Sequence, residues 1–434
     1  MHTRRGFLAG AAASAAAASR QPNIIVVLAD DLGWGELGCY GNTFNSTPNL
    51  DRLAREGVRF THAYSASPVC SPMRASYMTG QYPMRVGIND YLRDGDPKFL
   101  SPRIETLPKQ FAKAGYRTGL IGKWHLMGDY KQRKGDPKLH GFHEVICSES
   151  SYIGPGYYWP PYRHMKEVQP RREGEYLTDR MNQEAVEFIE RNAAKPFLLC
   201  LNHYAPHTKL SGKPDKVESY RQKTDAGKKS NNPALAAMLE SIDEGIGAIL
   251  SKLDALNLTA NTMVIFTSDN GGETTVTTNG HLHGGKSQLY EGGIRVPLIV
   301  RWPGRAKEGA ACGEPVCSID FYPTLLQAAG ISAPNNHAVD GAPLVPLLAN
   351  PSKRVRRESL YWYYPLDKPH FLGGRSAAAI RKGAFKLIEF LDKGEVELYN
   401  LEADDGESKN LASAMPEKAA ELRRDLDAWR RQRI

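Results

Sequence analysis

Cys70 stands in the run Cys70-Ser71-Pro72-Met73-Arg74, and Gly80 closes the segment that follows. Pro72 suits the first turn of a helix, because its missing N–H is one of the unpaired donors there, and Gly80 suits a left-handed stop. Cys70 therefore lies at or just before a helix N-terminus, where free N–H groups and the macrodipole attract anions. Arg74, one turn on, points back to the same spot. A cysteine beside a fixed cation is a candidate reactive group rather than core filler. Elsewhere Asp30-Asp31 and Asp269-Asn270 each follow an apolar, β-branched run. Polar oxygens placed directly after a buried strand are costly unless a cation binds them. Gly122-Lys123-Trp124-His125 and Ala205-Pro206-His207 also follow apolar runs, and Lys286 shares a loop with His281 and His283. Taken singly, each has an ordinary reading as a solvated acidic turn, a surface turn or a solvated lysine. His203 reads as a structural histidine.

The runs that must position these residues are short and continuous, the pattern of strands buried on both faces in a parallel sheet. Strands are expected over 23–29, 58–60, 116–121, 196–201 and 263–267. Helices are expected over 47–57, 72–80, 106–115, 178–192 and 232–256, with Val186 and Ile189 on the inner face of the fourth. The fold class is α/β, a large doubly wound, mostly parallel sheet between helices, in which ligands bind beyond the strand C-termini. A helix over 316–330 and a crossing segment over 342–353 complete this larger unit. Strands over 384–390 and 396–400 and a helix over 416–431 then form a smaller C-terminal α+β subdomain. The stretch 148–172 is irregular and rich in Tyr, Trp, Pro, Arg and His. It reads either as a rim that stacks against sugar rings or as a packed surface loop.

A length of 434 residues, with 41% hydrophobic and 24% charged, suits one large domain and a smaller one. The division expected is a leader over 1–20, a catalytic domain over 21–350 and a C-terminal subdomain over 351–434. The formal charge of +8 favours acidic substrates but is dispersed, apart from Arg430-Arg431-Gln432-Arg433. That excludes the concentrated basic stripe of a nucleic-acid binder. Arg4-Arg5-Gly6-Phe7-Leu8 and the alanine-rich run to Ser19 look like a twin-arginine export signal. The twin-arginine translocase and a periplasmic or secreted bacterial location follow as expectations. The run is too short and too weakly apolar to span a bilayer, so no membrane insertion is expected. The six cysteines match no zinc spacing; Cys312 and Cys317 could pair locally, and that question stays open.

Cys70-x-Pro72-x-Arg74, followed by Tyr77-Met78-Thr79-Gly80, resembles the first signature of the type I sulfatases. Met73 departs from the small residue usual there, while the Cys-x-Pro-x-Arg core is intact. Gly122-Lys123-Trp124-His125 resembles the second signature, and Lys286 with Tyr290-Glu291-Gly292-Gly293-Ile294-Arg295 a third segment. The resemblance runs from about Asn23 to Gly330 and implies an alkaline phosphatase-like fold. It implies that Cys70 is oxidised to Cα-formylglycine by a formylglycine-generating enzyme, the hydrated aldehyde being the nucleophile. It further implies metal ligation by Asp30, Asp31, Asp269 and Asn270 with residue 70. An all-oxygen set of this kind takes a hard cation, with Ca²⁺ expected and Mg²⁺ the alternative.

By the same resemblance, Lys123 and Lys286 hold the sulfuryl oxygens, His207 protonates the departing alcohol, and Arg74 orients the hydrate. His125 takes the proton that lets sulfate leave residue 70. The implied activity is hydrolysis of sulfate monoesters, with sulfated carbohydrate the expected substrate and aryl sulfate an alternative. A phosphodiesterase or phosphonate hydrolase could share the scaffold. A non-catalytic sulfated-glycan binder, with Cys70 unmodified, would not need His125 and His207 together.

Overall fold

The apolar run Asn-Ile-Ile-Val-Val-Leu-Ala becomes β1 (Asn23–Ala29), buried along its whole length. Its side chains alternate between two cores: Ile24, Val26 and Leu28 enter one, Ile25, Val27 and Ala29 the other. That is the behaviour of a central strand in a sheet covered on both faces. The computed structural model describes residues 21–152 and 158–432. The leader read over 1–20 lies outside the described residues.

The first sheet continues with β2 (Val58–Tyr64), β3 (Arg117–Gly122), β4 (Glu144–Ile146), β5 (Phe197–Asn202) and β6 (Thr262–Ser268). It ends with β7 (Arg295–Arg301), β8 (Ala310–Cys312) and β9 (Val316–Cys317). The lateral order is β4-β3-β5-β1-β6-β7-β2-β8, with β9 also on β2. From β4 to β6 neighbouring strands are parallel, whereas β7 is antiparallel to both β6 and β2. β7 lies outside the strands expected from the sequence, and its Pro297 lacks the N–H of a ladder partner. Pro297 falls where the β2–β7 pairing shifts register, between Phe60↔Leu298 and Ala63↔Val296. An irregularity of that kind tolerates proline.

Helices Pro48–Arg55, Leu177–Arg191 and Pro233–Ala255 cover one face and Cys70–Thr79, Leu107–Lys113 and Phe321–Ala329 the other. The helix expected over 316–330 begins only at Phe321. Ser318–Asp320 form a 3-10 turn, in which Asp320 Oδ2 accepts the Cys317 N–H at 2.8 Å. The crossing segment contains a short helix, Val345–Ala349.

The second sheet is antiparallel, in the order β10 (Ser359–Tyr364), β11 (Ala377–Lys382), β12 (Phe385–Phe390) and β13 (Glu395–Asn400). β10 and β11 go beyond the sequence reading; β11 opens on three alanines, which carry little strand propensity. Helix Pro416–Arg431 seats Ala419, Leu422 and Leu426 on Ala378, Ile380, Leu387 and Leu398. All six cysteines are free thiols, Cys312 and Cys317 included.

Candidate active site

Strands β3, β5, β1 and β6 are consecutive parallel neighbours, so their C-terminal ends share one sheet edge. Register sets Gly122 and Leu28 against Asn202, and Ala29 against Ser268. The residues that leave the sheet next, Lys123, Asp30 and Asp269, therefore emerge side by side. Backbone bonds fix the exits: the Asp30 N–H donates to Ala205 O at 3.0 Å and the Lys123 N–H to Asn202 O at 2.8 Å. Gly122 has φ +99°, and a Cβ there would lie 2.1 Å from Asn202 O, so only glycine passes.

Two site residues carry backbone strain. Asp31 and His125 have φ of 64° and 54°, a conformation costing about 1–3 kcal/mol for a non-glycine residue. The surroundings hold both. Asp31 N–H donates to Asp269 Oδ1 at 3.1 Å. The N–H groups of Trp124 and His125 donate to the two carboxylate oxygens of Glu149, at 3.0 and 2.5 Å. Glu149 had no signal in the sequence, since nothing in Ser148-Glu149-Ser150 marks a buried carboxylate.

Cys70 is the first residue of helix Cys70–Thr79, after an extended Val69, and Gly80 ends the helix at φ 68°. Its Sγ lies 3.6 Å from Asp30 Oδ1. One ligand atom each from Asp30, Asp31, Cys70 and Asp269 falls within 4.8 Å of the others, all four residues buried. Asn270 donates its Nδ2 to Asp31 Oδ1 at 2.8 Å, while its own Oδ1 is buried without a partner.

Three cations face the three carboxylates. Lys123 Nζ is 2.6 Å from Asp30 Oδ2, Lys286 Nζ is 2.6 Å from Asp31 Oδ2, and Arg74 Nη2 is 2.7 Å from Asp269 Oδ2. Burial and the neighbouring Asp269 and Asp31 push Asp30 up to about 7, against the pull of Lys123. Burial also works against ionised Asp269 and Asp31. Arg74 and Lys123 nevertheless hold Asp269 well below the usual carboxylate range, and Lys286 and His207 lower Asp31. Burial opposes the Lys123 and Lys286 ammonium groups, yet Asp30 and Asp31 raise both. Burial raises the Cys70 thiol well above its ordinary value, in spite of Lys123.

Hydrogen bonds set both histidine tautomers. His125 Nε2 lies 2.9 Å from Leu92 O and must donate to it, which leaves Nδ1 as the lone-pair atom, buried without a partner. His207 Nδ1 lies 2.6 Å from Thr208 O, so Nε2 carries the lone pair, 3.2 Å from Lys286 Nζ. Burial with Lys286 pushes His207 down to about 3, and burial with Lys123 takes His125 well below its ordinary value. His203 is buried, and burial lowers it to about 3; it is not part of the carboxylate cluster.

Cys70, Lys123, His125, His207 and Lys286 all line one cavity of ≈ 670 Å³. Its walls also carry Tyr91, Lys209, Glu273 and Phe371, which no sequence motif marks, with Asn232 from a helix cap and Tyr152 from the aromatic stretch 148–172. In the stretch 148–172, Tyr158 and Tyr162 are buried in the core and Trp159 Nε1 donates to Ser211 Oγ at 3.0 Å. The packed-loop reading applies to these three rings, and among the described residues of that stretch Tyr152 faces the cavity.

The sequence profile of the Sulfatase family matches residues 22–331, and that of the N-sulphoglucosamine sulphohydrolase C-terminal region matches 281–432. The chain is 33% identical to the steryl-sulfatase of Homo sapiens, over 80% of this chain and 73% of that protein. It is 36% identical to the N-acetylgalactosamine-6-sulfatase of Homo sapiens, over 80% and 69%. The solved structure of Ps i-CgsB superposes with a TM-score of 0.82 at 31% identity, covering 94% of this chain and 93% of that one. The same protein is solved in complex with k-i-k-neocarrahexaose. Profile, relatives and fold agree with the three sequence signatures, and the chain belongs to the type I sulfatases of the alkaline phosphatase superfamily, hydrolases of sulfuric esters.

Proposed function

We propose that this sulfatase releases inorganic sulfate from sulfated carbohydrates, with residue 70 acting as formylglycine. The observation that carries the reading is the convergence of Cys70 with three buried carboxylates inside 4.8 Å, in a cavity that also holds Lys123, His125, His207 and Lys286. The sugar reading draws on the polar side chains along the cavity wall, Lys209, Asn232 and Glu273, set beside aromatic rings. Several fixed polar groups suit a ligand covered in hydroxyls better than a smooth apolar one. The relative named as an N-acetylgalactosamine-6-sulfatase and the k-i-k-neocarrahexaose bound by Ps i-CgsB point the same way.

The donor set fits a hard divalent cation. Asp30, Asp31 and Asp269 offer carboxylate oxygens, and the unpartnered Oδ1 of Asn270 is the buried acceptor that such an ion would satisfy. Ca²⁺ is the ion proposed, and when bound it supplies positive charge against the sulfuryl oxygens. Formylglycine at position 70 supplies a hydrated aldehyde as the nucleophile.

The chain's own residues do the rest. Lys123 and Lys286 stabilise charge on the transferring sulfuryl group. Arg74 holds Asp269 and, through Nη1, the Lys123 carbonyl at 3.0 Å, so it orients the floor of the site. On the leaving-group side Lys286 carries the proton: its ammonium lies 3.2 Å from His207 Nε2, and transfer to that lone pair makes the imidazolium that protonates the departing oxygen, leaving Lys286 neutral. His125 offers Nδ1 as the base that takes a proton at residue 70.

We read 21–350 as the catalytic domain and 351–434 as a C-terminal subdomain. Export by the twin-arginine route to the periplasm or medium completes the proposal, on the strength of Arg4-Arg5-Gly6-Phe7-Leu8. Protein co-expressed with a formylglycine-generating enzyme should release sulfate from at least one member of a panel of sulfated mono- and oligosaccharides. Turnover of phosphate or phosphonate esters in place of every sulfate ester would overturn the reading.

A further inference from the structure

A second cavity, ≈ 690 Å³, adjoins the catalytic one, and Tyr91, His370 and Phe371 line both. The partition is built, not incidental. Phe371 lies in the connection between β10 and β11, where Gly374 O accepts the His370 N–H at 2.7 Å and His370 Nδ1 accepts the Leu372 N–H at 3.1 Å. His370 is buried, with Tyr91 edge-on at 5.5 Å and the Phe371 ring stacked at 4.4 Å. Phe371 itself is 79% exposed, a large apolar ring held in water at the mouth shared by the two cavities. A single exposed ring is ordinary on a protein surface, but this one lines two adjoining cavities from a hydrogen-bonded turn.

The chemistry of the second cavity narrows its occupant. Arg93, Lys98 and Lys368 bring cations, Asp90, Asp96 and Asp367 bring carboxylates, and Asn89 Oδ1 is enclosed without a partner. Lys98 and Lys368 form no ion pair among the described residues. Mixed donors and acceptors around one aromatic face suit a pyranose, whose C–H face stacks while its hydroxyls and acidic substituents take hydrogen bonds. Arg93 and Asp90 pair with each other at 2.8 Å, but an apolar acceptor such as a sterol would leave Lys98 and Lys368 desolvated and unpaired.

We propose that this cavity is a subsite for the sugar unit next to the sulfated one, so that the enzyme acts on chains rather than on isolated monosaccharides. The proposal rests on the carbohydrate reading above. Phe371 stacks on the neighbouring ring, and Lys98 and Lys368 meet its anionic groups.

The test compares kcat/KM for a sulfated monosaccharide, the tetrasaccharide of the same repeating unit, and 4-nitrophenyl sulfate. The wild-type enzyme should favour the tetrasaccharide over the monosaccharide. Phe371→Ala should cut that preference by about tenfold, the scale of one aromatic contact, and Lys368→Ala should cut it further in low salt than in high. Both side chains are exposed, so neither variant threatens the fold. A preference untouched by both variants would overturn the subsite, as would no preference in the wild-type enzyme. Turnover of nitrophenyl sulfate without turnover of any saccharide would instead remove the carbohydrate reading and the subsite with it. No turnover of nitrophenyl sulfate or any saccharide would count against the sulfatase chemistry itself.

Discussion

His207 and His125 are both neutral imidazoles with one lone pair fixed by a backbone carbonyl, yet they face different tasks. An alkoxide leaving group needs a proton as the S–O bond breaks, whereas nitrophenolate leaves without help. General-acid assistance is worth about 10²–10⁴-fold, and the benefit shrinks as the leaving group becomes a weaker base. His207→Ala should therefore cripple turnover of a sugar sulfate while sparing much of the activity on nitrophenyl sulfate. His125→Ala should harm both alike, because sulfate leaves residue 70 after the alcohol has gone. Steady-state turnover of both substrates by both variants decides the assignment. Equal losses for the two substrates in His207→Ala would pass the proton-donor role to Lys286, which already sits 3.2 Å away.

Between elements, the two sheets are joined by buried charge. Lys386 on β12 lies 3.0 Å from Glu291 and 2.9 Å from Glu407, every partner buried. Arg381 on β11 donates to the Tyr64 hydroxyl, which in turn donates to Glu291 at 2.7 Å. Trp362 on β10 donates to Ser65 O at 2.8 Å, and Ser65 Oγ donates to Asp269 O at 2.6 Å, so the joint reaches the metal-ligand candidates. Breaking a buried ion pair from one side leaves an uncompensated charge and costs about 3–5 kcal/mol. Lys386→Met should lower stability by that amount in denaturant unfolding.

The joint also titrates. Burial and the neighbouring Glu291 push Glu407 from 4.5 up to about 7, against Lys386. The folded state then holds a proton that the unfolded state loses, so this contribution is full below pH 4.5 and is lost as pH rises towards 7. Melting temperatures measured across that window should fall for the wild-type protein and stay flatter for Glu407→Gln. A Glu407→Gln slope as steep as the wild-type one would assign the titration to another group.

Local signals in the sequence located the elements that bear the site. Asn232-Pro233 and Pro72 with Gly80 punctuate helices, and apolar runs of fixed length give β1, β3, β5 and β6. Asp30, Lys123 and Asp269 were readable because each directly follows such a run. The walls of the cavity were not, since Tyr91, Glu273 and Phe371 come from loops whose meeting depends on tertiary packing alone. β7 and β11 were missed for a related reason, a proline at a register shift and an alanine-rich strand that only the neighbouring sheet stabilises.

At the scale of the whole molecule, the cluster of Asp30, Asp31 and Asp269 is already matched by Arg74, Lys123 and Lys286. The fold should therefore survive removal of a divalent ion, with binding adding stability by mass action on top of it. Treatment with a chelator should abolish turnover while lowering the melting temperature only modestly, and excess Ca²⁺ should restore both. Unchanged turnover after complete removal of metal, verified by elemental analysis, would assign those carboxylates a purely structural role. The chemistry turns on what residue 70 is in the active protein. Preparations made with varying amounts of formylglycine-generating enzyme differ in the fraction modified, which mass spectrometry of the peptide spanning residue 70 reads. Sulfate-release activity should rise in proportion to that fraction, on a line through the origin. Full activity in protein carrying only cysteine at position 70 would rule out formylglycine as the nucleophile.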